Sequence, residues 1–239
     1  MNERERRAQR YDAGNVFLDA LPVAERDALA AELVVVDLDA PESIFAREGA
    51  IEHVYFPIDS MFSITASLHH GGGTVEVYEV GVVGRDGIVG AEVALGAATS
   101  HRFVLTQVAG RAARLPAEIF VCRAKSSEVL TEAIHRYLLW RIYAAEQLVG
   151  CAFAHTLEQR CARWILTVRD LVGNSEFGLR REFLAMMLAI EPSGVDGALG
   201  ALLATETIRY EEQAVTILRP GRLREASCEC YDALRHAHR

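Results

Sequence analysis

The sequence predicts an α+β protein with a strand-rich N-terminal region, a long helical region and a C-terminal helix–turn–helix. Three observations support this fold class. Between Val34 and about Leu115, short β-branched and aromatic runs alternate with glycine- and aspartate-containing breaks, which is typical of an antiparallel barrel or roll. From Pro116 to Ala154 the pattern is helical. After residue 179, two short helical patterns precede a β-hairpin.

Composition bounds the protein class. The chain has 239 residues, 51% of them hydrophobic, which is enough for two modest domains with proper cores. The formal net charge of −8 argues against strong non-specific affinity for nucleic acid. No apolar run approaches the ~20 residues needed to span a bilayer. The charged residues 1–7 lack the apolar segment of a secretory signal. We therefore expect a cytoplasmic protein that does not enter a membrane.

Apolar residues at helical spacing in Asn15–Leu33 indicate one or two short helices before the strands. We expect a first domain over residues 1–126 with these flanking helices. Residues 127–156 would form a long helix with a hinge, and residues 157–239 a second domain.

The long helical region contains a regular apolar pattern. We expect a short helix over about Ala117–Ala124 and a longer one over about Ser127–Ala154. Within the longer helix, four- and three-residue steps connect Ile134, Leu138, Arg141, Ala145, Leu148 and Ala152. This spacing is typical of a coiled-coil seam and favours a dimerisation helix. A helix that faces its own core is the alternative.

The C-terminal third has the clearest pattern. A helix over Leu157–Val172 is followed by a compact amphipathic helix over Leu179–Leu188 and a tight turn. Pro192 suits the first position of the next helix, which we expect to run to about Leu203. A hairpin over residues 207–218 completes the plan of a winged helix–turn–helix.

Four strings in this order resemble the Crp/Fnr family of transcription regulators. They are Val54–Pro57, Val82–Gly90, Glu182–Leu188 and Ala226–Tyr231. The resemblance covers essentially the whole chain. It implies an N-terminal double-stranded β-roll of jelly-roll type that resembles a cyclic-nucleotide-binding domain, a long dimerisation helix and a winged DNA-binding domain. It also implies a homodimer that senses an effector and binds palindromic sites in double-stranded DNA.

The recognition helix departs from the family pattern. The places that present arginine, glutamate and arginine to bases in the family fall on Pro192, Ser193 and Gly197. A good bidentate base contact is worth ~1–3 kcal/mol of discrimination, so losing three removes much of the ~4–10 kcal/mol that separates specific from non-specific binding. Between Met186 and Leu218 the chain has one base, Arg209. The acids there are Glu191, Asp196, Glu206, Glu211 and Glu212.

Some basic residues remain as candidate phosphate contacts. They are Arg180, Arg181, Arg209, Arg219, Arg222 and Arg224. Two hypotheses follow. The chain acts on DNA with a weakened grip, or it is a DNA-binding-deficient partner that works through dimerisation or protein contacts. Gly194, Gly197 and Gly200 would let another protein surface approach the recognition helix, but drift of a disused helix is the favoured explanation.

The family's cyclic-nucleotide binders use a glycine–glutamate pair for the ribose and an arginine for the phosphate. The corresponding segment includes Gly90 and Ala91, with Glu92 one residue late. The arginine place falls near Ser100, with Arg102 as a substitute. This pocket argues against a cyclic nucleotide, because a buried phosphate would lack compensation. No histidine in the strand region is marked as a haem ligand.

The five cysteines are scattered, with none near the N-terminus, which argues against an iron–sulfur sensor. Cys228-Glu229-Cys230 could hold half a metal site, or it could be a loop with two incidental thiols. Without zinc-ligand spacing, we predict no metal and no cofactor. The sequence also has no glycine-rich phosphate loop and no Ser/His/Asp or Cys/His set, so we expect no catalytic residues and no enzyme.

Overall fold

The structure is a computed structural model that describes residues 9–11, 13–69 and 75–237. The charged residues 1–7 used for the location prediction lie outside the described residues. By internal packing the chain divides into two compact units, residues 1–67 with 81–139, and residues 68–80 with 140–239. This division cuts the long helix, whereas the predicted domain bounds at 126 and 156 flank it and stay a prediction.

Two four-stranded antiparallel sheets form the strand-rich region. The first, in the order β1-β2-β8-β4, consists of β1 (Gln9–Arg10), β2 (Val34–Leu38), β4 (His53–Pro57) and β8 (Gly110–Pro116). The second, in the order β3-β7-β5-β6, consists of β3 (Glu42–Phe45), β5 (Met61–His69), β6 (Val75–Val83) and β7 (Phe103–Val108). Their buried side chains enclose a core that includes Phe56, Phe62 and Leu115. The prediction of an antiparallel barrel or roll is confirmed.

Four helices accompany these strands in the described chain. They are α1 (Val16–Asp19), α2 (Val23–Ala30), α3 (Ala117–Ser126) and α4 (Glu128–Ala154). Asn15 starts α1, where its side chain accepts a hydrogen bond from the Leu18 N–H at 3.1 Å. Phe120 of α3 and Ile134 of α4 are fully buried. The first unit therefore includes the start of the long helix in its core.

The second unit is built around α5 (Leu157–Val172), which has the predicted bounds. Thr156 and Gln159 form a reciprocal capping box at its start, and Gly173 ends it in the left-handed region at φ 73°. The middle of α5 is buried all around, since every residue from Cys161 to Leu166 is buried.

A winged helix–turn–helix follows α5. Its elements are β9 (Glu176–Gly178), α6 (Arg181–Leu188), α7 (Val195–Ala204), β10 (Ile208–Glu211) and β11 (Ala214–Ile217). The three strands form a sheet in the order β10-β11-β9, and the helices α8 (Pro220–Ala226) and α9 (Cys230–Ala237) complete the unit. The recognition helix differs from the prediction at its start, where Pro192–Gly194 form a 3₁₀ turn before α7. Gly194 disfavours the α-helix, and 3₁₀ turns are common at helix ends.

No single helix in the described chain is long and apolar enough to cross a bilayer. Only the bent pair formed by residues 181–188 and 192–204 meets the length and composition test when its two helices are joined.

Candidate nucleic-acid interface and effector pocket

The buried face of α7 holds the recognition helix firmly in the winged unit. Val195, Ala198, Leu199 and Leu202 are each no more than 3% exposed. The preceding turn is fixed as well, because Arg160 of α5 donates a hydrogen bond to the Leu188 carbonyl at 2.8 Å. The scaffold that aims a recognition helix is therefore fully built.

The opposite face of α7 has almost no side chains that could form hydrogen bonds with a base pair. Asp196, Gly197 and Ala201 are exposed and Gly200 is half-buried. A Cβ added at Gly197 or Gly200 would meet no described atom within 4 Å. The predicted reading residues Pro192 and Ser193 are exposed too. The reading positions lie at the surface, but the serine hydroxyl and the Asp196 carboxylate are their only functional groups.

Arg181 at the start of α6 is engaged by the recognition helix itself. Its guanidinium donates to the Asp196 carboxylate and lies 5.3 Å from the centre of the Tyr210 ring. Tyr210 in turn donates to the Leu179 carbonyl at 2.9 Å. Burial raises the pKa of Tyr210, and the Arg181 charge partly offsets this effect. Arg181 therefore braces the motif, and its charge is already matched.

The other candidate phosphate contacts also have acidic partners. The nitrogen–oxygen distances are 3.6 Å for Arg180–Glu182, 3.5 Å for Arg209–Glu211, 3.0 Å for Arg219–Glu206 and 2.9 Å for Arg224–Asp232. Arg222 is exposed and has no ion pair with any residue that the structure describes. Each paired arginine could reach a phosphate only beside a carboxylate that repels it. That repulsion is about 1 kcal/mol at 4 Å in water, as large as a surface ion pair is worth.

The tip of the wing adds negative charge. Glu211 and Glu212 are both exposed. Glu212 and Gln213 lie in the left-handed region at φ 49° and 62°, the geometry of a tight hairpin turn that usually prefers Asn and Gly. The wing thus keeps its backbone form with acidic residues where a phosphate would pass.

The residues of the predicted dimer seam differ in exposure along α4. Ile134 is fully buried, Leu138, Arg141 and Leu148 are half-buried, and Ala145 and Ala152 are exposed. The most exposed apolar side chains of α4 lie one position later. They are Leu139, Ile142, Val149 and Phe153. Phe153 is 89% exposed. These residues are three, seven and four positions apart. Such helical spacing was visible in the sequence, but the sequence does not show which of two adjacent stripes faces the core.

The structure brings two of the predicted pocket residues together. Arg102 donates to Glu92 at 2.9 Å, in an ion pair at the protein surface. Gly90 lies at φ 85°, where a Cβ would press on the His53 carbonyl at 3.2 Å, and Ala91 is buried. Buried Ser100 donates to the carbonyl of Arg102 at 2.8 Å. The carboxylate and guanidinium that would serve a ribose and a phosphate are therefore bonded to each other.

The first unit also has a groove of about 530 Å³ beside α3 and α4. Its lining includes the titratable side chains of Lys125, Glu128 and His135 and the buried Ile134. None of the predicted pocket residues lines this groove.

No protein-family model matches the sequence, and no curated protein is significantly similar to it. Solved structures of similar fold are found at low identity. FixK2 from Bradyrhizobium japonicum superposes with a TM-score of 0.67 at 13% identity, over 82% of this chain and 98% of FixK2. A putative Crp/Fnr-family transcriptional regulator from Eubacterium rectale gives 0.62 at 14%, over 87% and 95%.

A third structure with the same architecture is CLP from Xanthomonas campestris, described as a c-di-GMP responsive global regulator. It gives a TM-score of 0.61 at 13% identity, over 82% of this chain and 99% of CLP. All three similarities span nearly the full length of the neighbour, which agrees with the four sequence strings that resemble the family. The chain has the fold of the Crp/Fnr transcription regulators, in a divergent form.

Proposed function

We propose that the chain is a dimeric transcription regulator of the Crp/Fnr type that acts on double-stranded DNA with an atypical, acidic recognition helix. The observation that carries this proposal is the contrast within α7, where a complete buried face supports an exposed face without base-reading side chains. A helix held in this frame keeps the shape needed to approach a groove. Its affinity for DNA must come from other contacts. The regulator is not an enzyme, and a cytoplasmic location stays our prediction from sequence.

The weak grip follows from the charges around the helix. Five of the six candidate phosphate-binding arginines are paired with carboxylates, and the wing tip is acidic. Because the electrostatic term supplies essentially all non-specific affinity for DNA, the unit should bind random DNA poorly. Sequence preference would then depend on DNA shape and on the few polar groups near Ser193.

Dimerisation is proposed through the exposed apolar stripe of α4. Ile142, Val149 and Phe153 are between 58% and 89% exposed, which is costly for a helix that stays in water. Phe153→Ser should shift the dimer towards monomer by at least ~10-fold in dissociation constant, as expected for losing a buried aromatic anchor. Analytical ultracentrifugation measures this shift. Leu148→Ser is the matched control, because Leu148 belongs to the stripe predicted from sequence. A larger increase of the dissociation constant in Leu148→Ser than in Phe153→Ser would show that the predicted stripe forms the dimer contact.

The direct test of function is selection of genomic DNA fragments by the purified protein, followed by the same selection with the double variant Pro192→Arg, Gly197→Arg. Gly197 faces open space, so the new guanidinium has room. We expect weak enrichment by the natural protein and at least ~10-fold tighter binding by the variant, since one good base contact is worth ~1–3 kcal/mol.

The double variant Pro192→Gln, Gly197→Gln controls for side-chain length without charge. Tight and specific binding by the natural protein would contradict the proposed weak grip. No enrichment by either protein, from a folded dimer, would favour the alternative of a DNA-binding-deficient interaction partner. Cyclic AMP and cyclic GMP should leave the affinities unchanged, because Glu92 and Arg102 bind each other. Any effector would then be of another chemical class.

A further inference from the structure

Four metal-ligand side chains meet in the second unit. Cys151 lies in the last turn of α4 and His155 just after it, while Cys228 lies between α8 and α9 and Cys230 is the first residue of α9. Their ligand atoms all lie within 4.8 Å of one another. The three cysteines are no more than 3% exposed, and the His155 side chain is 14% exposed. Two segments about 75 residues apart in sequence thus form one buried set of three sulfurs and one nitrogen.

The spacing within this set suits a tetrahedral ion. With a Zn–S bond of ~2.3 Å and a Zn–N bond of ~2.0–2.1 Å, tetrahedral angles place two sulfurs about 3.8 Å apart and a sulfur and a nitrogen about 3.6 Å apart. The Cys151 and Cys228 sulfurs are 3.6 Å apart. The Cys230 sulfur and the His155 Nδ1 are 3.7 Å apart. An iron–sulfur cluster, whose ligands bind different irons, requires a wider cage than this.

The histidine already has the orientation of a metal ligand. Its Nδ1 faces the sulfurs, and its Nε2 lies 3.0 Å from a carboxylate oxygen of Glu229. A hydrogen bond from the outer nitrogen to a carboxylate fixes the ring and its tautomer in zinc sites. Gln147 supports the set from α4, since its Nε2 donates to the Cys230 sulfur at 3.1 Å. The second layer of contacts is therefore present as well.

The buried guanidinium of Arg163 lies near these four side chains and would be stabilised by negative charge on them. Arg163 is 9% exposed, and its Nε has no hydrogen-bond partner among the described residues. It lies close enough for its charge to act on Cys151 and Cys228. Three thiolates, one neutral imidazole and a divalent ion carry a net charge of −1, which would offset the guanidinium. A set of neutral thiols would offer Arg163 no opposite charge.

We infer that Cys151, His155, Cys228 and Cys230 bind one zinc ion in a structural site. Thiolate and imidazole ligands favour Zn²⁺, and four protein ligands leave no open position for catalysis. The ion would join the end of α4 to the junction of α8 and α9. The sequence showed only half of this site, because the other half is a Cys-x₃-His spacing across a helix end that fits many ordinary helices. This inference does not depend on DNA binding.

Metal content of the full-length protein, purified under reducing conditions, tests the site. We expect one zinc per chain by mass spectrometry of the metal. Cobalt added after chelation should give the absorption bands of tetrahedral Co²⁺ with thiolate charge transfer. The zinc-free protein should unfold at a temperature about 10 °C lower than the same protein in free zinc at roughly 1,000 times its Kd.

Three variants assign the ligands. Cys228→Ser should abolish the cobalt bands, whereas Cys122→Ser, which removes an exposed cysteine outside the set, should keep them. Glu229→Gln, at a side chain that is 79% exposed, should fold normally and weaken zinc binding by about 10–100-fold. A natural protein that is folded, has five free thiols, holds no zinc and gives no cobalt bands would overturn the site. So would a Cys151–Cys228 disulfide in the reduced preparation.

Discussion

The two faces of the recognition helix differ in burial and in side-chain chemistry. The inner face of α7 presents Val195, Leu199 and Leu202 to a closed core, as a helix of this fold must. The outer face presents glycine, alanine and one aspartate that is bonded to Arg181. The residues that pack in the core and those that would face DNA occupy different positions of the same ten-residue helix. The comparison shows that the packing of this helix does not depend on base-reading side chains on its outer face.

The largest effect should come from the inner face. Leu199→Ala removes a fully buried side chain and should lower the free energy of unfolding by about 2–5 kcal/mol. Leu203→Ala is the matched control, because Leu203 is on the same helix but 36% exposed. Its loss should be less than half as large in urea denaturation. Equal losses would show that the two faces are not distinct in packing.

A smaller effect is expected where the outer face binds Arg181. Asp196→Asn removes the charge that pairs with this guanidinium and leaves it free for a phosphate. One added phosphate contact should steepen the slope of log K against log salt by about 0.9 for each chain. Glu225→Gln, an exposed change of equal charge on α8, should leave the slope nearly unchanged. If both variants have the slope of the natural protein, the Arg181–Asp196 ion pair does not limit the number of phosphate contacts.

The smallest effect concerns the outer glycines. Gly197→Ala and Gly200→Ala meet open space, and each should raise the free energy of unfolding by about 0.8–1 kcal/mol. Gly173→Ala should have the opposite sign, because Gly173 lies at φ 73°. Chemical denaturation measures all three. A loss of stability at Gly197 or Gly200 would mean that these positions have a packing role.

The fold was largely predictable because its elements have local signals. The bounds of α5 follow from apolar periodicity and from Gly173, and the winged plan follows from the order of short elements. The lack of base-reading side chains could also be predicted from the sequence, since Pro192 and Gly197 have no group that hydrogen-bonds to a base. The start of α7 was not predictable, because helix propensity does not distinguish the 3₁₀ turn of Pro192–Gly194 from a first turn of α-helix.

Pairings between distant residues lay beyond the sequence. The partners of Arg181, Arg219 and Arg224 are 15, 13 and 8 residues away, and only the folded backbone decides which carboxylate each one meets. The same holds for Glu92 and Arg102, which the sequence marked as substitutes for two different family residues, a glutamate and an arginine, and which the structure joins in one ion pair.

The salt dependence of DNA binding by the natural dimer tests the central claim most directly. Fluorescence anisotropy with a selected DNA fragment, over a series of salt concentrations, counts the phosphates that are neutralised. With Arg222 the only unpaired candidate on each chain, we predict a slope of log K against log salt of about −2. A slope of about −6 or steeper would show that the paired arginines bind phosphates after all, and would contradict the account.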